Sequence, residues 1–245
     1  MIWALHGFLG RGEDWAAFRP LLSELSCAEP EFPDLFTVPT EKTAPEWGDE
    51  FSARVAGIDP SPSLIGYSMG GRLALHAMLA RPWLFKRAVL ISTGLGIEDP
   101  ERRANRARSD ERWAERFETE AWSEVIAAWN AQDVFAGSPP MAERRERDYN
   151  RAALGVALRF WSPAAHEPLA GRLNIIEAPV LLVAGARDAR YVHEAERTAA
   201  SLRNGDVWVV PGAGHRVPWE RPESFKEALR DFFQQCRELP GAVGI

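Results

Sequence analysis

Gly66-Tyr67-Ser68-Met69-Gly70 follows the apolar run Ser63-Leu64-Ile65 and leads into Gly71-Arg72-Leu73-Ala74-Leu75-His76-Ala77-Met78, a helical pattern. A strand, then G-x-S-x-G, then a helix is the setting of a nucleophile elbow. The serine sits on a turn so tight that side chains on its neighbours would clash, so glycines flank it. The turn lifts the Ser68 hydroxyl above the strand end and aims the backbone N–H of Met69 at the reacting centre. Without a strand before it and a helix after it, the same stretch is a Gly-rich turn with no chemistry.

Two further pieces bear on the choice. Ile2-Trp3-Ala4-Leu5 reads as a short strand running into the loop His6-Gly7-Phe8-Leu9-Gly10. In this architecture that loop supplies the second oxyanion donor, here the N–H of Phe8. Pro179-Val180-Leu181-Leu182-Val183-Ala184-Gly185 reads as a buried strand with Asp188 just beyond it, and Val207-Trp208-Val209-Val210 as another, followed by Pro211-Gly212-Ala213-Gly214-His215. Ser68, Asp188, His215 is the chain order of the α/β-hydrolase triad. Each lies past the C-terminal end of a predicted strand, where α/β sheets build their sites. The competing residues fit less well. No strand immediately precedes His193, His76 falls inside a helix, His6 is placed to bond loop backbone, and His166 reads as exposed in a Pro-rich connector. Asp206 precedes its strand, so Glu220 is the one other acid left open.

The composition suits a soluble enzyme. Hydrophobic residues make up 46% of the 245 and charged residues 26%, enough to fill a core and coat a surface. A net charge of −6 leaves no global field for nucleic acid or an anionic membrane, so neither is an expected partner. Cys27 and Cys236 make neither a metal spacing nor a disulfide framework, which suits a reducing cytoplasm, and no metal site is expected. No signal peptide or span of bilayer length is read.

The organisation is strand, helix, strand, helix, interrupted once. Trp15, Phe18, Leu22 and Leu25 fall at helical spacing, with Pro20 dividing the segment. Residues 27–50 read as a long irregular loop. Ala88-Val89-Leu90-Ile91 is another buried strand, and Phe225, Leu229, Phe232 and Phe233 mark the buried face of a last helix. Between them, residues 98–168 are dense in Arg, Glu and Trp and lack strand-like runs. Trp122, Val125, Ile126 and Trp129 repeat as an amphipathic stripe. The predicted division is therefore an α/β core of residues 1–97 and 169–245, with a helical cap of 98–168 inserted over the C-terminal edge of a mostly parallel sheet.

Arg102, Arg103, Arg106, Arg108, Arg112 and Arg116 crowd the first part of the cap, and Arg144, Arg145, Arg147 and Arg151 the later part. Most belong to a solvated face offset by Glu101, Glu111, Glu115 and Glu118. Arg72 is sharper, because it lies one turn into the helix that the elbow opens. Guanidinium matches carboxylate with two parallel hydrogen bonds. A pocket ringed by arginines suits a multiply charged acid better than a plain lipid ester.

Leu5-His6-Gly7-Phe8-Leu9-Gly10 with Glu13-Asp14-Trp15, the elbow through Arg72, and Arg103-Ala104-Asn105-Arg106-Ala107-Arg108-Ser109-Asp110 with Trp113, Arg116-Phe117, Trp129 and Val134-Phe135 together resemble the SHCHC synthases of menaquinone biosynthesis. The likeness runs from Leu5 to about Pro222. It implies elimination of pyruvate from 2-succinyl-5-enolpyruvyl-6-hydroxy-3-cyclohexene-1-carboxylate, with no cofactor. It implies Ser68, Asp188 and His215 as the triad, Ser68 acting as general base. Tyr67, Arg72, Arg106 and Trp129 match substrate-pocket positions, and Arg147 is the best match for one more cap arginine, with Arg151 as the alternative. The expected partner is a small anionic substrate, the expected state a monomer or small homo-oligomer.

Two departures stand against the pattern. The chain starts almost directly at the strand before the oxyanion loop, without the usual preceding hairpin, so a small sheet with an unusual, pairing-prone edge is expected. Residues 28–40 lack the family-like Asp-x-Pro-Gly-His-Gly run, of which Phe32-Pro33-Asp34-Leu35 is a remnant. The residues leave open a serine hydrolase acting on a carboxylate-bearing ester or a C–C bond, with Ser68 as nucleophile. A catalytically dead binding module on this fold is the reading from a different class.

Overall fold

The computed structural model describes residues 1–139 and 141–234. Cys236 and the tail 239–245 lie outside the described residues. Five strands form one parallel sheet in the order β1 (Ile2–Leu5), β2 (Ser63–Tyr67), β3 (Arg87–Ile91), β4 (Val180–Gly185), β5 (Gly205–Val210). Because side chains alternate across a strand, each of the first four inserts one set of residues into each face. Trp3, Leu5, Leu64, Leu90 and Leu182 pack on one face. Ile2, Ala4, Ile65, Val89, Ile91 and Val183 pack on the other.

Helices close both faces. Helix α1 (Arg19–Ser26) follows a 3-10 turn over Gly12–Phe18, and Pro20 sits in its first turn, where a missing N–H costs nothing. Phe18, Leu22, Phe225 and Leu229 belong to the second face, the last two from a C-terminal helix (Pro222–Gln234). Helix α2 (Ala44–Ala56) and α3 (Met69–Ala80) cover the first face. The long loop expected over 27–50 therefore ends early. Thr43 and Glu46 form a reciprocal capping box with Pro45 in the first turn, a start signal present in the sequence.

Between β3 and β4 the chain makes α4 (Pro100–Thr119), α5 (Trp122–Asn130) and α6 (Arg151–Phe160). Asp99 caps α4 by accepting from the Arg102 N–H at 2.7 Å. Arg159 of α6 ties to Glu111 and Glu118 of α4, so these charges serve helix pairing. Arg102 is exposed. Helix α7 (Ala189–Ser201) follows β4, and the short α8 (Val217–Glu220) precedes the C-terminal helix, α9. No helix among the described residues is long and apolar enough to cross a membrane.

The edge at β1 differs from expectation. Glu31 pairs with it as a single parallel bridge, donating to Ile2 O and accepting from Ala4 N, both at 2.9 Å. Glu31, just before the remnant turn, thus engages two of the backbone groups that an open edge would expose.

Candidate active site

All five strands point the same way, so the loops after β1, β2, β4 and β5 converge at one edge of the sheet. Ser68 follows β2 directly, with φ 53° and ψ −109°. This is a strained backbone for a residue with a side chain. It persists because the turn is held from several sides. The Ser68 N–H donates to Ile91 O at 2.8 Å, and its carbonyl accepts from Gly71 and Arg72. A Cβ on Gly70 would lie 2.5 Å from the carbonyl oxygens of Leu5 and His6. Only glycine lets β1 and the elbow approach this closely.

His215 Nε2 lies 3.2 Å from Ser68 Oγ, and Nδ1 lies 2.7 Å from Asp188 Oδ2. Asp188 also caps α7 by accepting from the Tyr191 N–H. Ser92 Oγ donates to the His215 carbonyl at 2.9 Å, which anchors the histidine loop to the end of β3. The rings of Tyr191, Tyr67 and Phe135 surround the imidazole at centroid distances of 4.6, 5.5 and 5.7 Å. Glu220 does not bond the imidazole. It accepts from Ser138 Oγ and from the backbone of Gly214 and Arg216, and pairs with Arg187. Burial pushes its carboxyl up, but these bonds outweigh it and hold the group below the usual carboxylate range. It shapes the histidine loop.

Burial lowers the His215 pKa from 6.5, and the Asp188 carboxylate only partly offsets it. At pH 7 the imidazole is therefore neutral and able to take a proton. If His215 is the working base, kcat/KM should be flat through pH 7 and fall only on the acid side of 6.5, with a one-proton slope. A limb centred above 6.5 in a pH–rate profile would assign that ionisation to another group.

The loop after β1 lies directly on the elbow. A Cβ on Gly7 would stand 2.8 Å from the Tyr67 ring and 3.3 Å from Ser68 Cβ. The N–H groups of Phe8 and Met69 donate to no backbone carbonyl among the described residues, which leaves both available. His6 fixes the loop as expected: its Nε2 accepts from the Leu35 N–H at 3.0 Å, so Nδ1 carries the proton given to Gly7 O at 2.8 Å.

Two cavities meet at Ser68. The larger, about 470 Å³, is lined by Arg72, Arg106, Trp113, Arg190 and Tyr191 together with His215. The smaller, about 280 Å³, is lined by Tyr67, Asp14, Arg144, Arg216 and Trp219. Phe8, Trp129 and Phe135 border both. Arg72 is buried; its Nη2 donates to Trp161 O at 3.0 Å, and its Nε has no partner among the described residues. Burial pulls its guanidinium down to about 10, which still leaves it a cation at pH 7. Arg106 pairs with Asp110 at 2.7 Å, and Asp110 also accepts from Ser162.

The later cap arginine is corrected. Arg147 is exposed and lines neither cavity. Arg151 donates to the carbonyls of Phe117 and Glu120 and pairs with Glu146, away from the site. Arg144 takes the inward place, held by a bidentate pair to Asp14 with both contacts at 2.8 Å. Its partner lies 130 residues earlier, so no local pattern marks it. Arg216 and Arg190 also escaped the sequence reading, although each sits within two residues of a candidate triad member. His166, expected to be exposed, is buried against His76.

Residues 4–228 match the Alpha/beta hydrolase family. The chain belongs to that family. Among curated relatives of this α/β hydrolase is the 2-succinyl-6-hydroxy-2,4-cyclohexadiene-1-carboxylate synthase of Enterobacter sp. (strain 638), 28% identical over 96% of this chain and 93% of the relative. The same-named protein of Escherichia coli O1:K1 / APEC is 35% identical over 65% of this chain and 63% of its own. The structure of MenH from S. aureus superposes with a TM-score of 0.84 at 22% identity, covering 96% of this chain and 93% of that one. A thermophilic esterase from Thermogutta terrifontis, with malate bound, superposes with a TM-score of 0.76 at 23% identity over 96% of this chain and 89% of its own. These two structural likenesses speak to the fold.

Proposed function

We propose that this α/β hydrolase is an SHCHC synthase, a carbon–oxygen lyase of menaquinone biosynthesis acting in the cytoplasm. The observation that carries this reading is the buried guanidinium of Arg72, which lines the larger cavity beside Ser68 with no carboxylate in salt-bridge contact among the described residues, next to Arg106 in its pair with Asp110. The precursor has carboxylates on its ring, its succinyl arm and its enolpyruvyl group. Guanidinium groups in a desolvated cavity suit such an anion. The curated relatives named for this reaction support the same reading.

In this mechanism Ser68, hydrogen-bonded to neutral His215, removes the ring proton beside the succinyl ketone. The proton passes to His215 Nε2, and Asp188 orients the imidazole and stabilises its cation. Negative charge develops on the ketone oxygen, facing the N–H groups of Phe8 and Met69. The carbonyl re-forms as the electrons shift through the ring double bond and the C–O bond to the enolpyruvyl group breaks; the proton held on His215 passes to the departing oxygen, so the group leaves as the enol of pyruvate and the imidazole is neutral again. Tyr67 and Trp129 wall the substrate, and helices α4–α6 act as the cap over it.

Freshly made precursor should release pyruvate and give the cyclohexadiene product with no ¹⁸O from labelled water in either new bond, apart from slow ketone exchange. Nitrophenyl esters should turn over poorly. A serine hydrolase using the same triad predicts the reverse: fast ester cleavage, labelled oxygen in the acid and a trappable acyl-Ser68. That result, with no pyruvate from the precursor, would overturn the lyase reading.

A further inference from the structure

The two cavities at Ser68 differ in how their cations are balanced. In the smaller one Arg144 already has a counter-ion, because Asp14 meets it through two hydrogen bonds. Glu143 also lines this cavity but is exposed. Arg216 has no such partner. It is 5% exposed, its Nη1 donates to Pro139 O at 2.9 Å, and its Nη2 donates to Asn130 Oδ1 at 2.6 Å. The guanidinium carbon stands 4.2 Å from the centroid of the Phe135 ring. All of these partners are neutral. The nearby Glu220 is engaged with the Arg216 backbone N–H and pairs with Arg187 instead. Arg72, in the larger cavity, is in the same condition: 6% exposed, one bond to a carbonyl, no carboxylate in salt-bridge contact among the described residues.

A buried guanidinium held only by neutral groups is costly, and an arriving anion relieves that cost. Rigid placement adds to the effect. Arg216 is fixed by two hydrogen bonds and an aromatic face, so little side-chain entropy is lost when a ligand binds. Its position follows from the triad, since it is the residue after His215 on a loop anchored by Ser92 and Glu220. Two unbalanced cations therefore stand in two chambers that meet at Ser68.

We propose that Arg216 forms a second anion-binding subsite, in the chamber on the Tyr67 side of Ser68, so that with Arg72 the site clamps a substrate bearing carboxylates on both sides of its reacting atom. The proposal rests on the reading above of a multiply anionic substrate and adds where its carboxylates go: one toward Arg72 and Arg190, another toward Arg216. An acid with a single carboxylate engages only one of the two arginines.

Equilibrium binding tests this without turnover. The probes are 2-succinylbenzoate, a stable dianion with ring and side-arm carboxylates, and 4-oxo-4-phenylbutanoate, which lacks the ring carboxylate. Calorimetry on the full chain compares the wild type with Arg72→Met and Arg216→Met. Each substitution should weaken the dianion about 10-fold or more. Only one of them should weaken the monoanion. Arg216→Lys, which keeps the charge but not the fork, should fall between wild type and Arg216→Met and serves alone if the methionine variant does not fold. Unchanged dianion affinity in the Arg216 variants overturns the proposal. So does equal loss of the monoanion in both methionine variants, or a wild type that fails to bind the dianion at millimolar concentration. Pyruvate release is measured separately. A wild type that binds through both arginines but releases no pyruvate leaves the clamp standing and removes the lyase.

Discussion

Ser68→Ala, Asp188→Asn and His215→Ala should each lower kcat by about 10³-fold or more while leaving the fold intact. The geometry sets the expectation. Ser68 Oγ, His215 Nε2 and Asp188 Oδ2 form one hydrogen-bonded line with no other acid on the imidazole. Removing any member disables the unit, so the losses should not add in double variants. Asp188→Asn is the most informative. Asparagine keeps the shape but offers His215 Nδ1 no negative charge, and it can hold the imidazole in the wrong tautomer. Near-normal turnover in that variant would mean that a carboxylate other than Asp188, with Glu220 first in line, moves onto the imidazole. The bonds that Glu220 makes to Ser138, Gly214 and Arg187 argue against such a move.

Stability should fall steeply between pH 6.5 and 4.5, through buried histidines. Of the five histidines, His6, His76, His166 and His215 are buried, and burial lowers the pKa of each from 6.5. His76 comes down to about 3 and His166 to about 4. Their rings meet edge-on at a centroid distance of 4.8 Å, and neither Nε2 has a partner among the described residues. The charged neighbours of the pair are Arg72, Arg103 and Arg172 with Glu167, a mainly cationic setting that also resists protonation.

Below pH 6.5 the unfolded chain binds protons that the native chain refuses. Stability is therefore full above that pH and lost as pH falls, at about 1.4 kcal/mol per pH unit for each such histidine. By pH 4.5 the His76–His166 pair alone removes on the order of 5 kcal/mol. That is comparable with the whole stability of an ordinary domain. Urea unfolding followed from pH 7.5 to 4.5 measures the slope. In His166→Asn the slope should flatten by one proton between pH 6.5 and 4.5. Equal stability at pH 7 and pH 5 would contradict the linkage.

Much of the site was legible in the chain. Buried strands in a parallel sheet are short apolar runs, and Ala88–Ile91 and Val180–Gly185 announce themselves in that way. The elbow is equally local, since its glycines answer to contacts within a few residues and to β1. With strands placed, the C-terminal ends of a parallel sheet bring Ser68, Asp188 and His215 to one edge wherever the intervening helices lie.

The cap was a different matter. Its arginines share one residue type, and composition does not say which way each points. Between α5 and α6 the described residues form two short 3-10 turns, Asp133–Phe135 and Glu146–Asp148, and no longer helix among them, so no period relates neighbouring side chains. Arg144 faces inward because Asp14, far away in sequence, is there to receive it, while Arg147 remains in solvent. His166 is buried because α3 brings His76 against it. The edge of β1 is covered because Glu31 returns to it. The sequence by itself determined the strands, the elbow and the order of the candidate triad, because short-range sterics and hydrophobic runs specify them. The tertiary structure alone decided which cations stand unbalanced beside Ser68, because a side chain's direction and counter-ion are properties of what the fold places opposite it.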